Sequence, residues 1–285
     1  MSLRQLTNII PSHATSDGDG VKIRRVTLFN QKVTDPFLML DELLSDNPND
    51  FIGGFPPHPH RGMETLTYLI HGSLEHRDHL GNRGMIHSGG AQWMSAGRGI
   101  IHSEMPAREM KKLHGFQLWI NLPAKEKMQA PDYRDVPREE IPVLQGDGWQ
   151  ARLIAGSWKL DEQQANGPLM HLAAQSSYLD LELAAGTQVS IGTDEHETVI
   201  VFVFEGQLET SPLAPAKSLL VFGTGDELKL RAKSTARALI LRGTALKEPV
   251  VHYGPFVMNS AEEINQAIAD YNSGRFGNEN LTNQK

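Results

Sequence analysis

The sequence predicts an all-β protein of two sandwich or barrel units, with one short helix near the C-terminus. Three observations lead there: apolar residues recur with a period of two, glycine and proline interrupt them at short intervals, and one segment recurs in both halves of the chain. The period is clearest where Phe116, Leu118, Ile120 and Leu122 alternate with Gln117, Trp119 and Asn121, the pattern of a half-buried strand. Val199–Phe204 is continuously apolar and reads as a buried strand, and Leu228 with Leu230 and Leu239 with Leu241 repeat the spacing. Gly53-Gly54, Pro56-Pro57, Gly89-Gly90 and Gly206 fall between such runs. Many short strands at this spacing favour an antiparallel sandwich or barrel over βαβ units.

The helix is predicted after Ser260. Glu263 stands three residues on, as a capping box requires; Ile264, Ile268 and Tyr271 share a face, and Gly274 closes the run. At 285 residues and 31.6 kDa the chain has about twice the usual single-domain length. Tyr68–Glu75 (YLIHGSLE) resembles Phe202–Glu209 (FVFEGQLE), 134 positions later, and a polar, proline-bearing stretch runs between the halves from Lys125 to Trp149. The expected division is a first unit over 1–135, a linker over 136–148 and a second unit over 149–285.

Composition removes whole classes of function. There is no cysteine, which excludes disulfides, thiolate metal sites and cysteine nucleophiles. A net charge of −7 argues against a protein that coats nucleic acid or an anionic membrane. The longest strongly apolar run, 199–204, is too short to span a bilayer, and the first residues hold no secretory core, so a cytoplasmic protein is expected. No Gly-x-Gly-x-x-Gly, phosphate loop or Gly-x-Ser-x-Gly elbow is present.

The histidines are uneven. Eight of the twelve lie between His58 and His114, where even scattering would place about 2.4. His58-Pro59-His60 puts two imidazoles on one side of a strand, and His102-Ser103-Glu104 puts an imidazole and a carboxylate on one side of another. By chance, about 0.5 His-x-His pairs and about one His-x-Glu pair are expected at this composition. Together they supply three neutral nitrogens and one oxygen, a set suited to Fe(II), Mn, Ni, Cu or Zn. Glu64, four residues after His60, has the same parity and competes with Glu104 on spacing alone. His71, His76, His79 and His87 read as exposed or as outer partners, and His114, His171 and His252 carry no pattern. Phe55, Met63, Trp93, Met94, Met105 and Phe116 crowd these segments, either as barrel core or as an apolar pocket.

Gly53-x4-His58-x-His60-x3-Glu64-x7-Gly72 followed by Gly90-x11-His102 resembles the two metal-binding motifs of the cupin superfamily. Phe55–Gly62 (FPPHPHRG), Gln92–Pro106 (QWMSAGRGIIHSEMP) and Pro249–Asn259 (PVVHYGPFVMN) resemble signature segments of one family within it, the pirins. The resemblance implies two cupin-type β-barrels (double-stranded β-helix or jelly-roll) with one iron in the first, held by His58, His60, His102 and Glu104, and it favours Glu104 over Glu64, which becomes an outer partner. Shifting these four by 134 gives Gly192, Asp194, Ala236 and Ala238, with His196 the one histidine nearby, so the second barrel is expected to be metal-free. By the same resemblance, two functions are in play. One is a quercetinase-type dioxygenase that cleaves small aromatic, flavonol-like substrates with O2, with Glu104 as the base; the other is an iron-containing regulator whose partner is a transcription factor or metabolic enzyme. A cupin isomerase has less support, because no cluster of Lys and Arg forms a sugar-phosphate cradle.

Overall fold

Period-two patterning becomes strands throughout the computed structural model, which describes residues 2–29 and 32–277. The predicted runs lie in Leu113–Asn121, Thr198–Glu205, Glu227–Arg231 and Ala236–Gly243. The fold class is as expected: antiparallel sheets in two units and one α-helix among the described residues. No helix among them is long and apolar enough to cross a membrane.

The division of the chain is less simple than a cut at 136–148. One unit takes in residues 2–13, 32–36 and 139–246; the other takes in 14–29, 37–138 and 247–277. The expected linker itself carries a strand, Val143–Gly146, which pairs with Trp149–Ala155 because Leu144 packs against the core of the first of these units. The C-terminal helix belongs to the unit that holds the histidine motifs.

That histidine unit has a seven-stranded sheet in the order Asp132–Val136, Ala91–Ser95, Met63–His71, Leu113–Asn121, Phe37–Ser45, Val21–Thr27, His13–Asp17. Its second sheet has the order Phe55–His60, Ile100–Pro106, Ser73–Asp78, Arg83–His87. The other unit pairs a seven-stranded sheet, centred on Ala236–Gly243, with a four-stranded one containing Gln188–Gly192 and Glu227–Arg231. Within it, the strand beside Gln188–Gly192 is Glu227–Arg231, as Ile100–Pro106 is beside Phe55–His60. The shift of 134 therefore stops holding after the repeat: Ala236 and Ala238 sit in the central strand of the large sheet, and Glu227 and Lys229 occupy the strand that corresponds to His102.

The interiors differ in kind. Trp158, Leu179, Val201, Leu220 and Ile240 belong to one continuous apolar core in the C-terminal barrel. In the histidine unit, Glu42, His60, Glu64, Thr67, His76, His102 and Glu104 are all buried. Burying polar groups is costly unless each finds a partner or a ligand, so this barrel is shaped for something other than apolar packing.

Two features fix the loop after His60. Gly62 has φ +80°, and a side chain there would stand 2.0 Å from the Val257 carbonyl oxygen, so only glycine fits. Arg61, 1% exposed, donates to Asp270 on the helix Ala261–Asn272 at 2.8 Å and to the Arg98 carbonyl at 2.6 Å, with its guanidinium 4.7 Å from the Phe276 ring centre. Lys127, also 1% exposed, donates to the carbonyls of Gly62 and Val257 and to Asn121 Oδ1; burial lowers it to about 8. The predicted capping box is present: Ser260 Oγ accepts from Glu263 N, and Glu263 Oε2 accepts from Ser260 N. The helix buries Ile264, Ala267 and Asp270, while Tyr271, expected on that face, is 40% exposed.

Asp270→Ala strips the counter-charge from a buried guanidinium and is expected to destabilise the protein by about 3–5 kcal/mol. Asn265→Ala, on the exposed side of the same helix, is expected to stay within about 0.5 kcal/mol. Urea unfolding of the two variants side by side checks this.

Candidate metal centre

The site starts from strand register. In the antiparallel pair of Ile100–Pro106 with Phe55–His60, His102 lies directly opposite His58, and Ile100 opposite His60. Alternation sends His58 and His60 to one side of their strand, and the direct cross-strand partner meets them there. The three ring centres are 4.5 Å (His58–His102), 4.8 Å (His58–His60) and 5.0 Å (His60–His102) apart. One potential ligand atom from each lies within 4.8 Å of the others, and among the described residues this is the one group of three or more His, Asp or Glu so placed.

Protons and partners decide what these rings can do. His58 Nδ1 donates to the Pro56 carbonyl at 2.8 Å, so its Nε2 carries the lone pair. His60 Nδ1 and His102 Nε2 are buried with no hydrogen-bond partner. Desolvation, reinforced by the neighbouring imidazoles, holds His60 and His102 well below the usual histidine value, so both are neutral near pH 7. Neutral imidazoles that converge, with unpartnered nitrogens in a buried space, form a donor set that fits a divalent metal ion.

The two carboxylates behave differently from the histidines. Glu104 is buried two residues beyond His102; its Oε1 accepts from Thr67 Oγ1 at 3.1 Å and its Oε2 from Gln117 Nε2 at 2.8 Å. Trp119 Nε1 donates to Gln117 Oε1 at 3.3 Å, which orients the amide so that its NH2 faces Glu104. A register shift lies between His102 and Glu104 on the Phe55–His60 side. Glu64 is buried on Met63–His71, opposite Ile120 and Ser95. Neither carboxylate enters the three-histidine group.

A cavity of about 790 Å³ opens onto His58 and His60. Its other walls include Phe29, Phe55, Gln117, Trp119 and His252. The His252 ring stacks on Phe29 at 3.9 Å and 20°, and Trp119 stands edge-on to His60 at 5.0 Å. Arg25 lines the mouth, with Nε 2.8 Å from Asp41 Oδ1 and Nη2 2.6 Å from Asp41 Oδ2. Against the lowering effect of burial, the carboxylates of Asp41 and Asp17, both bonded to Arg25, hold its guanidinium above the usual value.

Of the apolar residues singled out in the sequence, Phe55 alone lines this cavity; Met63, Met94 and Phe116 are core, and Met105 is 37% exposed. Gln117 and Trp119, which alternate with the apolar residues of Leu113–Asn121, line the cavity. Sequence reasoning also missed Thr67 and Phe29, and gave His252 no role. His76 was read only as exposed or as an outer partner; it is fully buried, with Nδ1 3.3 Å from His102 Nδ1.

Comparison with known proteins adds an independent line. The Pirin family model matches residues 20–120, and the model of the Pirin C-terminal cupin domain matches 178–277. A Vibrio cholerae protein named "Putative quercetin 2,3-dioxygenase" is 48% identical over 276 residues, covering 96% of this chain and 98% of its own. Human Pirin is 36% identical over 285 residues, covering 97% and 95%. The crystal structure of quercetin 2,3-dioxygenase from Acinetobacter baumannii matches with a TM-score of 0.88 and 31% identity, over 97% of this chain and 99% of that one.

Purified protein, stripped with chelator and dialysed against Zn(II), is expected to hold one ion per chain. His58→Ala and His102→Ala are each expected to weaken binding by at least the ~100-fold that loss of an outer partner can cost. Competition with a chromophoric chelator measures it.

Proposed function

The chain belongs to the pirin family of the cupin superfamily, and from that premise we propose that it is a metal-dependent dioxygenase of the quercetinase type, with His58, His60, His102 and Glu104 as ligands of one Fe(II). The observation that carries this reading is the open cavity that reaches His58 and His60 of the three-histidine cluster. At about 790 Å³ it falls in the range of small-molecule sites, and its flat walls at Phe29, Trp119 and His252 suit a planar aromatic ring system. Relatives that carry the name quercetin 2,3-dioxygenase across nearly the whole chain support the same substrate class, a flavonol-like enol with O2.

The ion would supply Lewis acidity and the electron exchange that ground-state dioxygen requires. The rest is the work of this chain. Glu104 is the group to take the proton of the substrate's 3-hydroxyl. Thr67 and Gln117 each hold one of its oxygens, so the carboxylate keeps one rotamer, and Trp119 prevents Gln117 from flipping its amide. The stacked Phe29–His252 pair forms a flat wall against which planar rings can be oriented.

Iron-loaded protein is expected to consume O2 and bleach quercetin, and Glu104→Gln to lower kcat by about 10²–10⁴. Metal analysis of Glu104→Ala and Glu64→Ala tests the ligand set: loss of iron is expected to follow Glu104. A protein that binds iron through the three histidines yet neither takes up oxygen nor bleaches flavonols would overturn the catalytic reading.

A further inference from the structure

His76 stands outside the ligand set and is placed to govern it. It lies on Ser73–Asp78, the strand on the far side of Ile100–Pro106 from His58. In register it faces Glu104, and its ring reaches diagonally to His102, with the two Nδ1 atoms 3.3 Å apart and the ring centres 5.1 Å apart. Two nitrogens at that distance share one proton: one ring donates and the other accepts. If His76 donates, His102 carries its own proton on Nε2, the atom that is buried and unpartnered, and that nitrogen cannot ligate. If His102 donates, its Nε2 presents a lone pair.

The surroundings of His76 choose between these. Its Nε2 lies 3.7 Å from Asp78 Oδ2, longer than a hydrogen bond but close enough for the carboxylate to favour a proton on that nitrogen. Both side chains are fully buried, so no solvent screens the pair. Asp78 is itself fixed, accepting from Leu80 N, Asn82 N and Asn82 Nδ2 in the turn that follows. The ring plane of His76 is held by Tyr133, stacked at 4.8 Å and 23°, whose hydroxyl donates to Asp135. With the proton on Nε2, His76 Nδ1 accepts.

We infer that His76 is a positioning residue: backed by Asp78, it takes the Nδ1 proton of His102 in a hydrogen bond and so turns His102 Nε2 into a metal ligand. This rests on the proposed ligand set. It gives His102 the service that the Pro56 carbonyl gives His58, with a side chain in place of backbone. Loss of such an outer partner weakens metal binding about 10–100-fold.

Two measurements on the full chain, with Zn(II) as the probe, test it. In ¹⁵N-labelled, Zn(II)-loaded wild type, long-range proton–nitrogen correlations are expected to show His102 protonated on Nδ1 and His76 on Nε2; the reverse assignment at His76 would overturn the inference without any mutation. For affinity, His76→Phe is expected to bind Zn(II) about 10–100-fold more weakly, and His76→Asn, whose Oδ1 can accept in place of Nδ1, to recover most of the loss. If folded His76→Phe binds as wild type does, or His76→Asn is no better than His76→Phe, His76 does not position His102. His102→Ala separates the two levels. Wild-type binding in that variant would overturn the ligand set itself, whereas weak binding there beside tight binding in His76→Phe would overturn the role of His76 alone.

Discussion

The cross-strand meeting of His58 and His102 is the constraint on which the histidine unit depends. It leaves buried nitrogens of His60 and His102 without partners, and each such atom costs about 1–3 kcal/mol if nothing binds it. Much of the surrounding structure serves to keep those rings oriented and neutral. The Pro56 carbonyl fixes one ring, Trp119 packs edge-on against another, and the strand Ser73–Asp78 brings His76 to the third. Glu104 is restrained by two side chains from two further strands, Met63–His71 and Leu113–Asn121.

The C-terminal barrel shows what the same layout of strands does without that burden. Its interior is apolar and continuous, with Trp158, Val201 and Leu220 at positions that need no partner. One topology can thus carry a stability core or a reactive interior, depending on which residues occupy the inward-facing positions. The histidine unit accepts a polar centre and supports it from outside, through the buried Arg61–Asp270 pair and the three acceptors around Lys127.

Much of this could be read from the chain. Period two and punctuation by glycine revealed the sheets, and the capping residues Ser260 and Glu263 placed the helix. His58, His60 and His102 stood out because strand parity is a local property. What escaped depends on pairing between distant segments. His76 joins the site only because Ser73–Asp78 and Phe55–His60 flank the same strand, and nothing in its own neighbours signals that. Alternation showed that the Gln117–Trp119 face differs from the Phe116–Leu118 face, but not that it looks into a cavity. Phe29 and His252 meet from opposite ends of the sequence. Parity also could not separate Glu64 from Glu104, since both lie an even number of residues from a histidine.

The threading of residues 247–277 into the histidine unit bears on how the molecule is made. A ribosome delivers the chain from the N-terminus, so Phe37–Val136, with all three clustered histidines, emerges well before Asp270 and Val257. Until then Arg61 has no counter-ion, Lys127 lacks an acceptor, and His252 is missing from the cavity wall. The last contacts of this barrel thus depend on residues made after the whole intervening core. Removing residues 257–277 would strip Arg61 of Asp270 and Lys127 of the Val257 carbonyl, so the surroundings of a centre encoded early in the chain are completed by residues encoded late.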